Sequence, residues 1–174
     1  MNLVLVGYRG TGKSAIAHKL SELLGMSRVS LDEEIVRQAG KPIPEIVAAS
    51  GWVYFRDLEE QICRKFGAQQ GIIIDCGGGV VEREANIASL RVGGRVFWLR
   101  ARPSTIVARI GGDKSRPSLT GSKSFTEEVE EVLARREPLY RQVAHETVVT
   151  DGRSIDDLAA TVVASFRSAK GELA

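Results

Sequence analysis

Residues 7–14 read Gly7-Tyr8-Arg9-Gly10-Thr11-Gly12-Lys13-Ser14, a G-x-x-x-x-G-K-S spacing directly after the apolar run Leu3-Val4-Leu5-Val6. Glycines at these offsets let successive backbone N–H groups turn inward around phosphate oxygens, while the following helix presents its positive end to the same charge. In that arrangement Lys13 reaches the β- and γ-phosphates and the Ser14 hydroxyl ligates Mg²⁺. A plain glycine turn between strand and helix accounts for the glycines but not for Lys13 and Ser14. The reading is a nucleoside triphosphate site lined by Gly10, Thr11, Gly12, Lys13, Ser14 and Ala15. Ala15 stands where many phosphate loops carry threonine, so one hydroxyl contact is missing and backbone donors do most of the holding.

A phosphate loop names the donor and leaves the acceptor open. No N-K-x-D guanine-reading element occurs, which argues against a GTPase switch. Five further segments carry groups that could do chemistry. They are Val29-Ser30-Leu31-Asp32, Gly51-Trp52-Val53-Tyr54-Phe55-Arg56, Asp75-Cys76-Gly77-Gly78-Gly79, Arg116-Pro117, and Arg135-Arg136-Glu137-Pro138-Leu139-Tyr140-Arg141. Each also has a plainer reading. Asp32 suits a cap for a helix starting at Glu33, Arg56 and Arg136 suit solvated helix faces, and Phe55 and Tyr140 suit a core. Three consecutive glycines waste conformational entropy unless something must approach closely.

The elements that must position these groups alternate along the chain. Continuous apolar, β-branched runs predict strands near 2–6, 28–31, 72–76, 95–100 and 146–149. Helical patterns fall near 13–24, 32–39, 43–66, 82–91, 103–110, 124–142 and 154–169. Ile16 and Leu20 share a face of the first helix, Gly25 closes it, and Ser154 is the expected cap of the last. Strands alternating with helices imply right-handed crossovers, a parallel sheet and a three-layer αβα fold in one domain, 1–174. Residues 111–123 break the pattern, being polar and glycine-rich between two helices. They are read as a mobile lid that closes over ATP.

Composition narrows the function classes. Hydrophobic residues make up 43% of 174, enough for one real core. The formal charge is only +2 with signs interleaved, which disfavours nucleic acid as a main partner. Cys63 and Cys76 form no C-x-x-C pair or disulfide framework and are expected as buried free thiols. No apolar run approaches the ~20 residues that span a bilayer. The chain opens directly on a strand, so a cytoplasmic protein with no membrane partner is expected, and the lack of a sustained exposed apolar stripe points to a monomer.

In this order and spacing the F-R, G-G-G, R-P and R-x-P-L-Y segments, together with the phosphate loop, resemble the shikimate kinase family over nearly the whole chain. The resemblance implies a five-stranded parallel sheet of nucleoside-monophosphate-kinase type, order 2-3-1-4-5, with the acceptor region at about 32–60. It implies transfer of the γ-phosphoryl of ATP to the 3-hydroxyl of shikimate. Arg56 and Arg136 would clamp the shikimate carboxylate, a role that suits the planar guanidinium fork. Asp32 would bind a hydroxyl and accept the attacking proton, while Gly77, Gly78 and Gly79 would let the main chain approach the ring. Arg116 would neutralise charge on the transferred group, and Arg109 and Arg153 would flank the adenine.

One departure matters. The family pairs two acids at the second strand, and here the first is Ser30, leaving only Asp32. The run Ile72-Ile73-Ile74-Asp75-Cys76-Gly77 offers a compensation: Asp75, at a strand end beside the phosphate loop, would supply the carboxylate near the metal. The alternatives are a kinase of this fold for another small hydroxy acid or a nucleoside monophosphate, and a nucleotide-binding relative without catalysis.

Overall fold

The computed structural model describes residues 1–111 and 125–171. Arg116 and nearly all of the expected lid therefore lie outside the described residues. The chain runs β1 (Asn2–Val6), α1 (Lys13–Leu24), β2 (Ser27–Ser30), α2 (Leu31–Ala39), α3 (Ile43–Gly67), β3 (Ile72–Asp75) and a single 3₁₀ turn (Val80–Glu82). It continues through α4 (Glu84–Arg91), β4 (Gly94–Arg100), α5 (Pro103–Ile110), α6 (Phe125–Val143), β5 (Glu146–Val149) and α7 (Ile155–Gly171). The five strands form one parallel sheet in the order β2-β3-β1-β4-β5, the order expected.

Successive side chains on a strand face opposite sides, and here both sides are apolar. Leu3 and Leu5 join Ile73, Phe97 and Leu99 against Ile16 and Leu20 of α1 and Val162 and Phe166 of α7. Val4 and Val6 join Ile74, Val96 and Trp98 against Ile35 of α2, Phe55 and Ile62 of α3, and Tyr140 and Val143 of α6. Helices thus cover both faces, and the loops after β1, β2 and β3 emerge together at the carboxyl edge. Cys63 and Cys76 are buried free thiols, and burial pushes both above the ordinary thiol range. Among the described residues no helix is long and apolar enough to cross a membrane.

Two expectations change. The helix expected over 82–91 is a 3₁₀ turn followed by α4, because Arg83 adopts an extended backbone between them. The helix expected over 43–66 is broken at Gly51, whose φ of 79° and ψ of 171° lie in a region essentially reserved for glycine. The break re-aims the chain, so the segment carrying Trp52, Phe55 and Arg56 turns toward the carboxyl edge of the sheet. No atom lies within 4 Å of where a Cβ would sit on Gly51, so the requirement there is conformational and not steric. Gly51→Ala should destabilise the fold by about 1–3 kcal/mol in urea unfolding. An unchanged urea midpoint would show that the break tolerates a side chain.

Candidate active site

The strand β1 delivers residues 7–12 to the start of α1. Gly12 takes a left-handed conformation, φ 90°, and no side chain caps the first turn of that helix. Its leading N–H groups are therefore left for a ligand, as an anion site requires. The loop holds its own shape: the Thr11 hydroxyl donates to the Tyr8 carbonyl at 2.8 Å, and the Lys13 ammonium donates to the same oxygen at 3.0 Å. A cavity of about 300 Å³ opens here, lined by Gly10, Gly12, Lys13, Ser14, Ala15, Asp32, Asp75 and Gly78 among others.

Asp75 enters this cavity from the neighbouring strand. Sheet register places it beside Leu5 on one side and Ser30 on the other. Burial pushes its carboxyl above the ordinary range, opposed by the Lys13 ammonium and a hydrogen bond from the Ser14 hydroxyl. Ser30 does other work, accepting from the Glu33 N–H at 3.3 Å as the N-cap of α2. Asp32 is thus not the cap but lies in the first turn of α2, an acidic position that the helix dipole favours.

The groups expected on the acceptor side meet at the triple glycine. A methyl on Gly77 would lie 2.8 Å from Asp32 Oδ1 and 3.1 Å from Glu59 Oε1, and one on Gly79 would run into the Arg56 guanidinium. Gly78 has only ordinary contacts there, the Arg9 amide of the phosphate loop nearest at 3.4 Å. The glycines therefore make room for the site's own side chains. Tyr140, fully buried and stacked on Trp98, donates its hydroxyl to the Gly78 carbonyl and so fixes the loop.

Arg56 and Arg136 both turn inward. Arg56 lies over the Trp52 and Phe55 rings at 5.6 Å and 5.2 Å from their centroids, and Arg136 lies 5.9 Å from the Tyr8 centroid. Arg136 Nε donates to Glu82 Oε1 at 2.9 Å, and Arg56 Nη2 pairs with Glu82 Oε2 at 3.2 Å. Two guanidiniums from α3 and α6 thus converge on one carboxylate. Arg56 Nη1 also donates to Glu59 at 2.7 Å. Burial raises the Glu59 carboxyl although Arg56 opposes the shift, and its Oε1 has no hydrogen-bond partner among the described residues.

The remaining expected residues separate. Arg109, on α5, donates to the Gly10 carbonyl at 3.1 Å and to Thr150 Oγ1 at 3.3 Å, which sets it against the phosphate loop. Arg153 instead lies along α7, donating to the Asp157 carbonyl at 3.2 Å and to Thr161 Oγ1 at 2.6 Å. Sequence reasoning missed Glu59 and Glu82. The first stands one helical turn beyond Arg56, a spacing that pairs opposite charges. The second lies three residues past the glycines with no motif to mark it.

Comparison with known proteins agrees with this arrangement. The family model described as shikimate kinase matches residues 9–167. The chain is 39% identical over 175 residues to the shikimate kinase of Rhodopirellula baltica, covering 98% of this chain and 93% of the relative. It is 40% identical over 154 residues to that of Desulforudis audaxviator, covering 88% and 80%. The shikimate kinase of Acinetobacter baumannii, solved in complex with shikimate, superposes with a TM-score of 0.92 at 32% identity, covering 97% of this chain and 94% of that one. Matched in sequence and in fold along almost its entire length, this chain belongs to the shikimate kinase family.

Proposed function

We propose that the chain transfers the γ-phosphoryl of ATP to the 3-hydroxyl of shikimate, giving shikimate 3-phosphate and ADP for aromatic amino-acid biosynthesis. The observation that carries the acceptor is the convergence of Arg56 and Arg136 on a single carboxylate position beside the phosphate loop. Two guanidinium groups from separate elements suit an organic acid, which accepts in-plane hydrogen bonds from both.

Backbone amides of residues 10–15 and the Lys13 ammonium hold the donor's phosphates, and the arginine pair holds the acceptor's carboxylate. Asp32, packed against Gly77, accepts the proton as the hydroxyl oxygen bonds to the γ-phosphorus and the bond to the β,γ-bridging oxygen breaks. Glu59 Oε1 offers an acceptor to a second ring hydroxyl. Arg116 is assigned the developing phosphoryl charge by family resemblance alone, and Arg109 the adenine. Arg153 belongs to the adenine side only if it leaves its bonds along α7.

The site suits a divalent metal brought with ATP. Ser14 offers a hydroxyl and Asp75 a carboxylate in one cavity, and no group of three or more His, Cys, Asp or Glu among the described residues forms a metal cage. One hydroxyl and one or two acids are the donor set of Mg²⁺ completed by phosphates and water. When bound, Mg²⁺ neutralises charge on the β- and γ-oxygens. A cytoplasmic monomer acting on ATP and shikimate belongs to the same reading, and the near-balanced charge supports the exclusion of nucleic acid as a main partner.

A coupled assay tests the whole reading: ATP turnover should require shikimate. Turnover with another hydroxy acid or a nucleoside monophosphate would move the acceptor, and ATP binding without any turnover would remove catalysis. Arg136→Lys, which loses the fork, should raise KM for shikimate by more than about tenfold with little change in KM for ATP. A shift in KM for ATP instead would place Arg136 on the donor side.

Asp75→Asn should raise the Mg²⁺ concentration needed for half-maximal turnover, and unchanged Mg²⁺ dependence would release Asp75 from the metal. The same variant should melt higher without ligand. A carboxyl whose folded pKa is raised costs stability when ionised, and asparagine removes that cost. The advantage is present at neutral pH and closes only as pH falls below about 4, where the carboxyl becomes protonated in both states.

A further inference from the structure

We infer that Glu82 is an internal stand-in for the acceptor's carboxylate, occupying the Arg56–Arg136 clamp in the ligand-free chain and setting acceptor affinity because it must be displaced. The inference rests on the proposed reading that these two arginines bind a carboxylate acceptor.

The bonds around Glu82 use the donors that such an acceptor needs. Its Oε1 accepts from Arg136 Nε at 2.9 Å and from Arg135 Nη2 at 2.7 Å, while Oε2 pairs with Arg56 Nη2 at 3.2 Å. The other terminal nitrogen of Arg56 is held by Glu59 at 2.7 Å, so Glu82 and Glu59 together engage both ends of that fork. Burial alone would raise the Glu82 carboxyl, but Arg136, Arg56 and Arg135 hold it below the ordinary range, and it is ionised at neutral pH.

Burial shows which partner yields. The Arg136 and Arg56 side chains are 4% and 13% exposed, whereas Glu82 is 24% and Arg135 59%. Buried guanidiniums without a counter-charge are costly, and Glu82 supplies one while no acceptor is bound. Glu82 sits at the end of the 3₁₀ turn after Gly79 and lines a cavity of about 240 Å³ with Trp52, Arg56, Arg135 and Arg136. Two carboxylates cannot share the clamp without strong like-charge repulsion. An incoming carboxylate therefore takes over Arg56 and Arg136, and Glu82 swings outward while keeping Arg135, which is not a clamp member. The competition is between like charges, so a neutral analogue that leaves Glu82 in place feels little of it.

The test compares wild type with Glu82→Gln and Glu82→Ala, each first checked for folding by thermal melting. Shikimate, cyclohex-1-ene-1-carboxylate and the matching carboxamide are titrated by NMR, and shikimate turnover is measured in parallel. Both variants should bind the two carboxylates about tenfold more tightly and the carboxamide as before. KM for shikimate should fall by a similar factor with a much smaller change in kcat. Glu82→Gln retains an oxygen for Arg136 and guards against loss by misfolding. Equal or weaker carboxylate binding in the variants would overturn the inference, leaving Glu82 as a brace that keeps the arginines in place. A wild type without shikimate turnover would remove the acceptor assignment alone, because the simple carboxylate reads the clamp whatever the natural acceptor is.

Discussion

The parallel pairing of β3 between β1 and β2 is the constraint on which the site depends. It sets Leu5 opposite Asp75 and Asp75 opposite Ser30, so three loops leave the sheet side by side. Parallel strands all end on the same edge, and ligands of open α/β sheets gather there. Because of this register the phosphate loop after β1, the start of α2 after β2 and the triple glycine after β3 touch one another. A slip of one residue would carry Asp75 to the opposite face of the sheet and break its pairing with Leu5 and Ser30.

On that edge the charges are arranged as interlocked pairs. Arg56 is shared between Glu59 and Glu82, and Glu82 between Arg56, Arg135 and Arg136. Tyr8 of the phosphate loop lies beneath Arg136, and Tyr140 one turn beyond Arg136 fixes Gly78. The phosphate loop and the arginine pair are thus linked through side chains as well as through the sheet. The arrangement leaves little slack: buried ionised groups are tolerated only while each has a partner, and changing one shifts the balance for the others.

The layer arrangement and the place of the phosphate loop were legible in the chain, whereas the strand order came through the family resemblance. Apolar runs such as Ile72-Ile73-Ile74 and the offsets of Lys13 and Ser14 are local signals that survive without tertiary context. Arg56 and Arg136 were found through their motifs, and their inward orientation required the fold. Other features carried no local signal. Glu59 and Glu82 matter because of pairs formed between α3, α6 and the turn after β3, and no sequence period reports such pairs. Gly51 looked tolerable inside a helical pattern, since an isolated glycine there usually costs propensity without breaking the helix. Ser30 looked like a lost acid, whereas the structure gives it the N-cap of α2.

The aromatic inventory has a practical side. The chain has only two tryptophans. Trp52 meets Phe55 edge-on at 5.6 Å and lies beneath Arg56, and Trp98 stacks on the tyrosine that holds the glycine loop. Both indoles therefore stand next to groups of the proposed acceptor cleft, and filling it should change their surroundings. The unlabelled molecule carries its own optical gauge of occupancy, and its ultraviolet emission can be followed through a titration without attaching a dye.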